Sequence, residues 1–200
     1  MRINRLLNKC SSVFHHWKTV VFYRPQFRAI GRATILRRPL LLVNPEFMTL
    51  GNGVIIRDGA RMEALKTNLA RMPSLVIGDN TNIEQNVHIV CHSRIHIGAN
   101  VSITANCSIV DVTHPYQDIH DSRKIGARIL EENSQVEIGE GCFIGMGTVI
   151  LPNVTLGKYV VVGANSVVTT DLPAYCVAAG APARVIRRYD PAQRRWIRVA

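Results

Sequence analysis

Along the C-terminal half of the chain an aliphatic residue returns every sixth position: Ile138, Ile144, Ile150, Leu156, Val162 and Val168. The residues that follow them are Gly139, Gly145, Leu151, Gly157, Gly163 and Thr169, so small residues dominate there. Four positions after each aliphatic stand Cys142, Thr148, Val154, Val160, Ser166 and Leu172, mostly small or β-branched. The same beat occurs upstream as Ile77, Ile83 and Ile89, slips by two residues, and resumes as Ile97, Ile103 and Ile109. A weaker echo is Leu50, Ile56 and Met62. A period of six is neither the 3.6 of a helix nor the 2 of an alternating strand. It fits a coil of three short strands that stacks on itself. The pattern predicts that each aliphatic points inward and stacks on its counterpart three hexads later. Small residues then fit where the prism narrows, and glycine permits the turn backbone. Each coil buries its interior only against its neighbours, so both ends need covers.

Two segments interrupt the beat. Residues 115–135, Pro115 to Gln135, are polar and lack the hexad, which predicts a loop ejected from the stack. Residues 64–74 form a smaller irregularity. At the C-terminal end Asp190-Pro191 has the chemistry of a helix N-cap and first-turn proline, predicting a short helix within 189–200. At the other end Ile3, Leu6, Leu7, Cys10, Val13, Phe14, Trp17, Val20 and Val21 fall at helical spacing. Arg2, Arg5, Lys9 and Lys18 lie largely off that stripe, so a basic amphipathic helix is expected. It has two readings: a cap over the open end of the coil stack, or an anchor on a membrane surface. The predicted organisation is a basic extension over residues 1–45, the coil domain over 46–188, and the terminal helix.

Composition sharpens this picture. Ile and Val are abundant and aromatics few, a bias toward strands. The formal charge of +10 lies at the ends: residues 1–45 hold nine Arg or Lys and no acid, and residues 184–200 hold six Arg against one Asp. The stretch between them is slightly acidic. Without a zinc finger, an aromatic ribonucleoprotein motif or a helix-turn-helix, this does not read as a nucleic-acid binder. Anionic lipid or a phosphorylated ligand suits the ends better. Five unpaired-looking cysteines argue against a disulfide framework and for a reducing cytoplasm. No apolar run reaches transmembrane length, and no small-residue cleavage site marks a secretory signal.

Three stretches carry a family resemblance: DVTHPYQD at 111–118, IGMGTVILPNVTLGKYVVVGANSVVTTDLP at 144–173 and VAAGAPARVIR at 177–187. With them, residues 77–188 resemble the hexapeptide-repeat acetyltransferases, the group of galactoside, maltose and nodulation-factor acetyltransferases. The basic N-terminal extension looks more like the branch that acetylates bacterial surface polysaccharides. The resemblance implies an all-β fold, a left-handed parallel β-helix (a hexapeptide-repeat solenoid) with the N-terminal amphipathic helix and short C-terminal helix added. It implies a homotrimer with active sites between subunits, acetyl-CoA as co-substrate and no metal. His114 matches the family's catalytic histidine, and a neutral imidazole can take a hydroxyl proton. Asp111 or a backbone carbonyl could orient its ring. The main-chain N–H of Met146 matches the family's donor to the developing oxyanion. Gly145, Gly163, Ala164, Thr169, Thr170 and Pro182 are expected along the pantetheine arm, with Arg184 and Arg187 near the nucleotide phosphates. Glu84, His92 and Tyr116 are the acceptor candidates. Glu84 and His92 replace the Asn and Asp of the sugar acetyltransferases, which puts a simple galactoside or maltose acceptor in doubt. No Ser or Cys is placed beside His114 for an acyl-enzyme, so direct transfer is expected.

Two other functions remain open on the sequence. The histidines His88, His92, His96, His114 and His120 could supply a zinc site like that of the γ-class carbonic anhydrases, although the 177–187 signature opposes it. The solenoid could also be a non-catalytic scaffold in glycan assembly, since a fold does not fix a function.

Overall fold

The computed structural model describes residues 2–67 and 72–199, with side chains from residue 10 onward in the first helix. The stripe positions Ile3, Leu6 and Leu7, and the basic Arg2, Arg5 and Lys9, therefore lie outside the described side chains. Part of the 64–74 irregularity likewise lies outside the described residues.

Among the described residues the strands form three faces of a prism. Face A stacks Ala29–Ile30, Met48–Leu50, Ser74–Ile77, Arg94–Ile97, Gln135–Ile138 and Val154–Leu156 in parallel. Face B begins with Ile35–Leu36, Ile55–Ile56, Asn82–Ile83, Ser102–Ile103, Phe143–Ile144 and Val161–Val162. Face C stacks Leu41–Val43, Arg61–Ala64, His88–Cys91, Ser108–Val110, Val149–Ile150 and Val167–Val168. The chain passes A to B to C six times, making a left-handed parallel β-helix.

The hexad residues fill its axis. Ile138 pairs with Leu156, Ile144 with Val162 and Ile150 with Val168, each three hexads apart, and all six are buried. Ile97, Ile103 and Ile109 keep the same register with Ile138, Ile144 and Ile150 across the 115–135 insertion. The loop is thus ejected at a corner without disturbing the ladder. Cys107, Cys142, Thr148 and Ser166 occupy buried small positions, and Cys107 Sγ and Cys142 Sγ donate to the carbonyls of Gly145 and Gly157. At the turns Asn80, Asn86, Asn100, Asn106, Asn153 and Asn165 take positive φ, a conformation Asn tolerates better than most residues with a Cβ.

The solenoid starts earlier than residue 46. Ile30 and Leu36 are buried and continue the hexad upstream, and residues 29–43 build a complete first coil. The basic extension proper is the helix α1, Arg2–Lys18, continued by a π-helical turn Thr19–Tyr23. It covers the first coil with its polar side. Thr19 Oγ1 donates to the carbonyl of His15 at 2.7 Å and accepts the Leu36 N–H at 2.8 Å. Lys18 Nζ donates to the Arg37 carbonyl, and His15 is buried. These groups satisfy an otherwise open strand edge. Burial and the cations Lys18 and Arg37 push the His15 imidazole below its ordinary value. Cys10, Val13, Phe14, Trp17 and Val21 face outward.

The C-terminal helix expected within 189–200 is not formed. Arg184–Asp190 and Arg195–Arg198 make an antiparallel hairpin that extends face B beyond Cys176–Ala179. Asp190 Oδ1 does accept the N–H groups of Ala192 and Gln193, but this capping chemistry closes the hairpin turn. A lone two-turn helix is weak, while the edge of face B offers unpaired backbone groups. Tyr189 and Trp196 then meet across the hairpin at 5.6 Å.

Candidate active site

Face C is bordered by two corners that carry most of the expected site residues. At its exit, toward face A, the chain places His92, Asp111, His114, Thr169 and Thr170. At its entry, from face B, it places Glu84, Gly145, Met146, Gly163 and Ala164.

His114 lies at the exit corner, four residues beyond the strand Ser108–Val110, and is exposed. Its Nδ1 lies 2.8 Å from the carbonyl oxygen of Arg128. A carbonyl only accepts, so Nδ1 carries the proton in this contact and Nε2 keeps its lone pair. Of the two orienting groups the sequence allowed, the backbone carbonyl holds the ring.

Asp111 has a different task. Its carboxylate is 1% exposed and accepts the N–H groups of His92, Ser93 and Arg94, the last two at 2.8 and 2.7 Å. It closes the exit corner of one coil onto the next. Burial pushes its carboxyl up from the ordinary range against the opposing pull of those three donors. The orienting role that the sequence allowed Asp111 gives way to this placement, in which backbone N–H groups hold its carboxylate.

Arg128 is the group that sequence reasoning missed. Its guanidinium is buried in the ejected loop and donates to the carbonyls of Asp118, Asp121 and Arg123 at 2.6 to 3.1 Å. It also pairs with the Asp121 carboxylate at 3.4 Å. The Leu130 N–H donates to the Thr113 carbonyl at 3.0 Å and ties the loop back beside His114. One of two arginines in a polar stretch, it gives no sequence sign that it organises the loop.

The entry corner is narrow. A Cβ on Gly145 would stand 2.5 Å from the Ala164 nitrogen, so this column admits no side chain at that point. Met146 is half-exposed, and among the described residues its N–H has no partner, while the neighbouring Gly145 and Gly147 donate to Val162 and Ala105. Gly163 and Ala164 lie one coil further on. The segment 180–183, with Pro182, folds over the last strand of face C: Val167 donates to Gly180 and Ala183 to Val167. Arg184 and Arg187 are exposed on the terminal hairpin.

The acceptor candidates do not converge within the chain. Glu84 is held by Arg57 at 2.9 Å on the entry corner. His92 is buried at the exit corner with Nε2 2.6 Å from Thr67 Oγ1. Tyr116 is 68% exposed on the loop. Of the other histidines, His88 lies against Glu63 and His96 against Glu137. Among the described residues no three His, Cys, Asp or Glu groups come together as a metal site. Burial pushes the Cys91 thiol up to about 12 and the Cys142 thiol up to about 11, which leaves them protonated packing groups.

A parallel three-faced solenoid with an oriented histidine at one corner and a glycine-lined column at the next defines a hexapeptide-repeat transferase. Residues 135–170 match the family described as bacterial transferase hexapeptide (six repeats). A protein of Escherichia coli K12, named provisionally as the lipopolysaccharide biosynthesis O-acetyl transferase WbbJ, is 31% identical over 183 residues, 89% of this chain and 87% of that protein. Galactoside acetyltransferase in complex with coenzyme A superposes with a TM-score of 0.60 at 25% identity, covering 94% of this chain and 82% of the other. The N-acyltransferase AntD of Bacillus cereus, in complex with dTDP and coenzyme A, superposes at 0.68 with 18% identity over 88% and 89% of the two chains, a likeness of fold. The chain belongs to the hexapeptide-repeat acetyltransferase family. It is an acetyltransferase.

Proposed function

We propose that the chain moves the acetyl group of acetyl-CoA to a sugar hydroxyl of a bacterial surface polysaccharide or its lipid-linked precursor, with His114 as the base. The observation that carries this reading is the Nδ1 contact of His114 with the Arg128 carbonyl, which leaves Nε2 free to take the hydroxyl proton. The hydroxyl oxygen then attacks the thioester carbonyl, and the Met146 N–H meets the charge that grows on the carbonyl oxygen. Collapse breaks the carbon–sulfur bond, and the imidazolium returns its proton to the departing thiolate. The route needs no acyl-enzyme, and the buried state of Cys91, Cys107, Cys142 and Cys176 agrees with direct transfer. The name borne by WbbJ supports a surface-glycan acceptor.

The coil order supports catalysis between subunits. Met146 enters face C and His114 leaves it, on opposite edges of a strand row roughly 15–20 Å long at ~3.3 Å per residue. A homotrimer in which one subunit's exit corner meets its neighbour's entry corner brings the two groups together. The pantetheine arm would lie along Gly145, Gly163 and Ala164, flanked by Thr169, Thr170 and Pro182, with Arg184 and Arg187 toward the phosphates. Tyr116, exposed beside His114, is better placed to meet a sugar than the buried His92. This reading places the enzyme at the cytoplasmic face of a membrane. Among the described residues no helix is long and apolar enough to cross one.

His114→Ala tests the central claim. It should keep CoA binding and assembly while turnover falls by about 10²–10⁴-fold. Near wild-type turnover would remove His114 from the mechanism, and failure to bind CoA in a titration of the intact protein would leave only a scaffold role.

A further inference from the structure

We propose that the outward face of α1 docks on an anionic lipid bilayer, holding the first coil of the solenoid at the membrane surface. This deepens the lipid-linked acceptor reading above by naming the surface that would bring enzyme and acceptor together. The decisive feature is the way the helix is turned. Ser11, His15, Lys18 and Thr19 face the first coil, where Thr19 binds the backbone of Leu36 and Lys18 that of Arg37. The helix therefore holds the face B edge of the first coil through its polar side, without using the apolar stripe. Val13, Phe14, Trp17 and Phe22 stand 70%, 54%, 52% and 54% exposed, a density of large apolar groups that scattered surface residues do not reach. Phe14, Trp17 and Phe22 form a chain of ring contacts at 6.3 and 5.7 Å, and Cys10 continues the face.

Charge selects the occupant. No acid occurs before Glu46, and Arg24, Arg28, Arg32 and Arg38 are exposed around this end of the solenoid. A second copy of the chain on this face would bring two such cationic rims together. A bilayer carrying anionic headgroups neutralises them while the apolar face enters the acyl boundary, the known balance for helices that lie in the interface plane. Aromatic side chains with one polar edge, such as Trp17, suit that depth.

The fold turns this docking into a ruler. His114 leaves the fourth coil, three coil steps of ~4.8 Å, or roughly 14 Å, along the axis from the first. The thickness of α1, about 10 Å, lies between that coil and the bilayer, so the catalytic corner stands roughly 25 Å from the docked surface. A hydroxyl on a sugar a few residues out from a lipid-held phosphate comes within that reach.

The test uses the full chain, a Phe14→Ser/Trp17→Ser variant, and vesicles of phosphatidylcholine with or without about 30% phosphatidylglycerol. Intact protein should sediment with the anionic vesicles at low salt and be released by roughly 0.5 M salt. The variant should bind at least ~10-fold more weakly. Alkylation of Cys10 by a water-soluble maleimide should slow by a similar factor when anionic vesicles are added. The melting temperature and acetyl transfer to a water-soluble acceptor should be unchanged in the variant, which separates this inference from the acetyltransferase reading. Intact protein that ignores anionic vesicles at low salt, or binding indifferent to the substitutions, overturns the proposal. So does light scattering that shows the substitutions splitting a larger assembly, since a second copy would then cover the face.

Discussion

The carbonyl oxygen of Arg128 lies 2.8 Å from Nδ1 of His114, fourteen residues earlier in the chain, and sets the tautomer of the imidazole. The Arg128 side chain, turned the other way, gathers the carbonyls of Asp118, Asp121 and Arg123. One residue thus folds the loop with its guanidinium and orients the His114 imidazole with its backbone. Arg128→Met should release the loop and let the commoner Nε2–H tautomer compete. The expected outcome is a fall in kcat of about 10-fold or more with the KM for acetyl-CoA little changed. Nitrogen-15 shifts of the His114 ring provide a readout that mere loss of stability would not move. An unaltered tautomer ratio with normal kcat would show that Arg128 has no positioning role, whatever His114→Ala does.

Asp111 predicts a contrasting defect. Asp111→Asn turns an NH2 group toward backbone N–H donors that now share two carboxylate oxygens. An unmatched buried donor costs about 1–3 kcal/mol, so the melting temperature should drop by several degrees. The His114 tautomer should stay as it is. A shift of that tautomer without loss of stability would restore Asp111 to the orienting role.

The Gly145 column predicts a packing limit. A Cβ at this position would meet the backbone of Ala164, Gly163 and Val162 within 2.7 Å, and backbone cannot rotate away. Gly145→Ala should destabilise the solenoid by about 1–3 kcal/mol, measured by thermal or denaturant unfolding. Unchanged stability would mean the coils separate here more easily than their pairing suggests.

The thiols predict a reactivity pattern and an alkaline limit. Cys10 is exposed and Cys91, Cys107, Cys142 and Cys176 are buried, so one thiol should react in the native protein and the others only on unfolding. Cys91 and Cys142 are pushed up to about 12 and about 11 from 9.0, above their unfolded value. Their contribution to stability is complete below about pH 9 and is lost as pH rises toward 11–12, because the unfolded chain ionises first. Unfolding midpoints measured from pH 8 to 11 should therefore decline, and less so in a Cys91→Ala/Cys142→Ala background at equal starting stability.

Much of the molecule was legible in the chain itself. A strict beat of six determines where aliphatic residues must stack, and Ile138, Ile144, Ile150 and their partners do so. The loss of that beat at 115–135 marks the ejected loop, and the DVTHP run singles out His114 within the pattern of a family. These features are local in sequence, since each coil repeats the same few contacts with the next. The first coil was missed because Ile30 and Leu36 sit among nine basic residues, whose charge masked the hexad.

Tertiary structure decided the rest, in each case by offering a partner far along the chain. Asp190 has N-cap chemistry in any context, but the open edge of face B made its neighbourhood a hairpin. Asp111 lies three residues from His114 in sequence, yet the previous coil presents three N–H groups that claim its carboxylate. Arg128 reaches His114 only because the loop turns back on itself. The spacing of Val13, Phe14 and Trp17 fixed an amphipathic helix, while the choice of the face turned inward fell to the polar backbone edge at Leu36 and Arg37. An apolar stripe is indifferent to direction until something needs covering; here the exposed edge needed hydrogen bonds, so the polar side went in and the apolar side was left facing out.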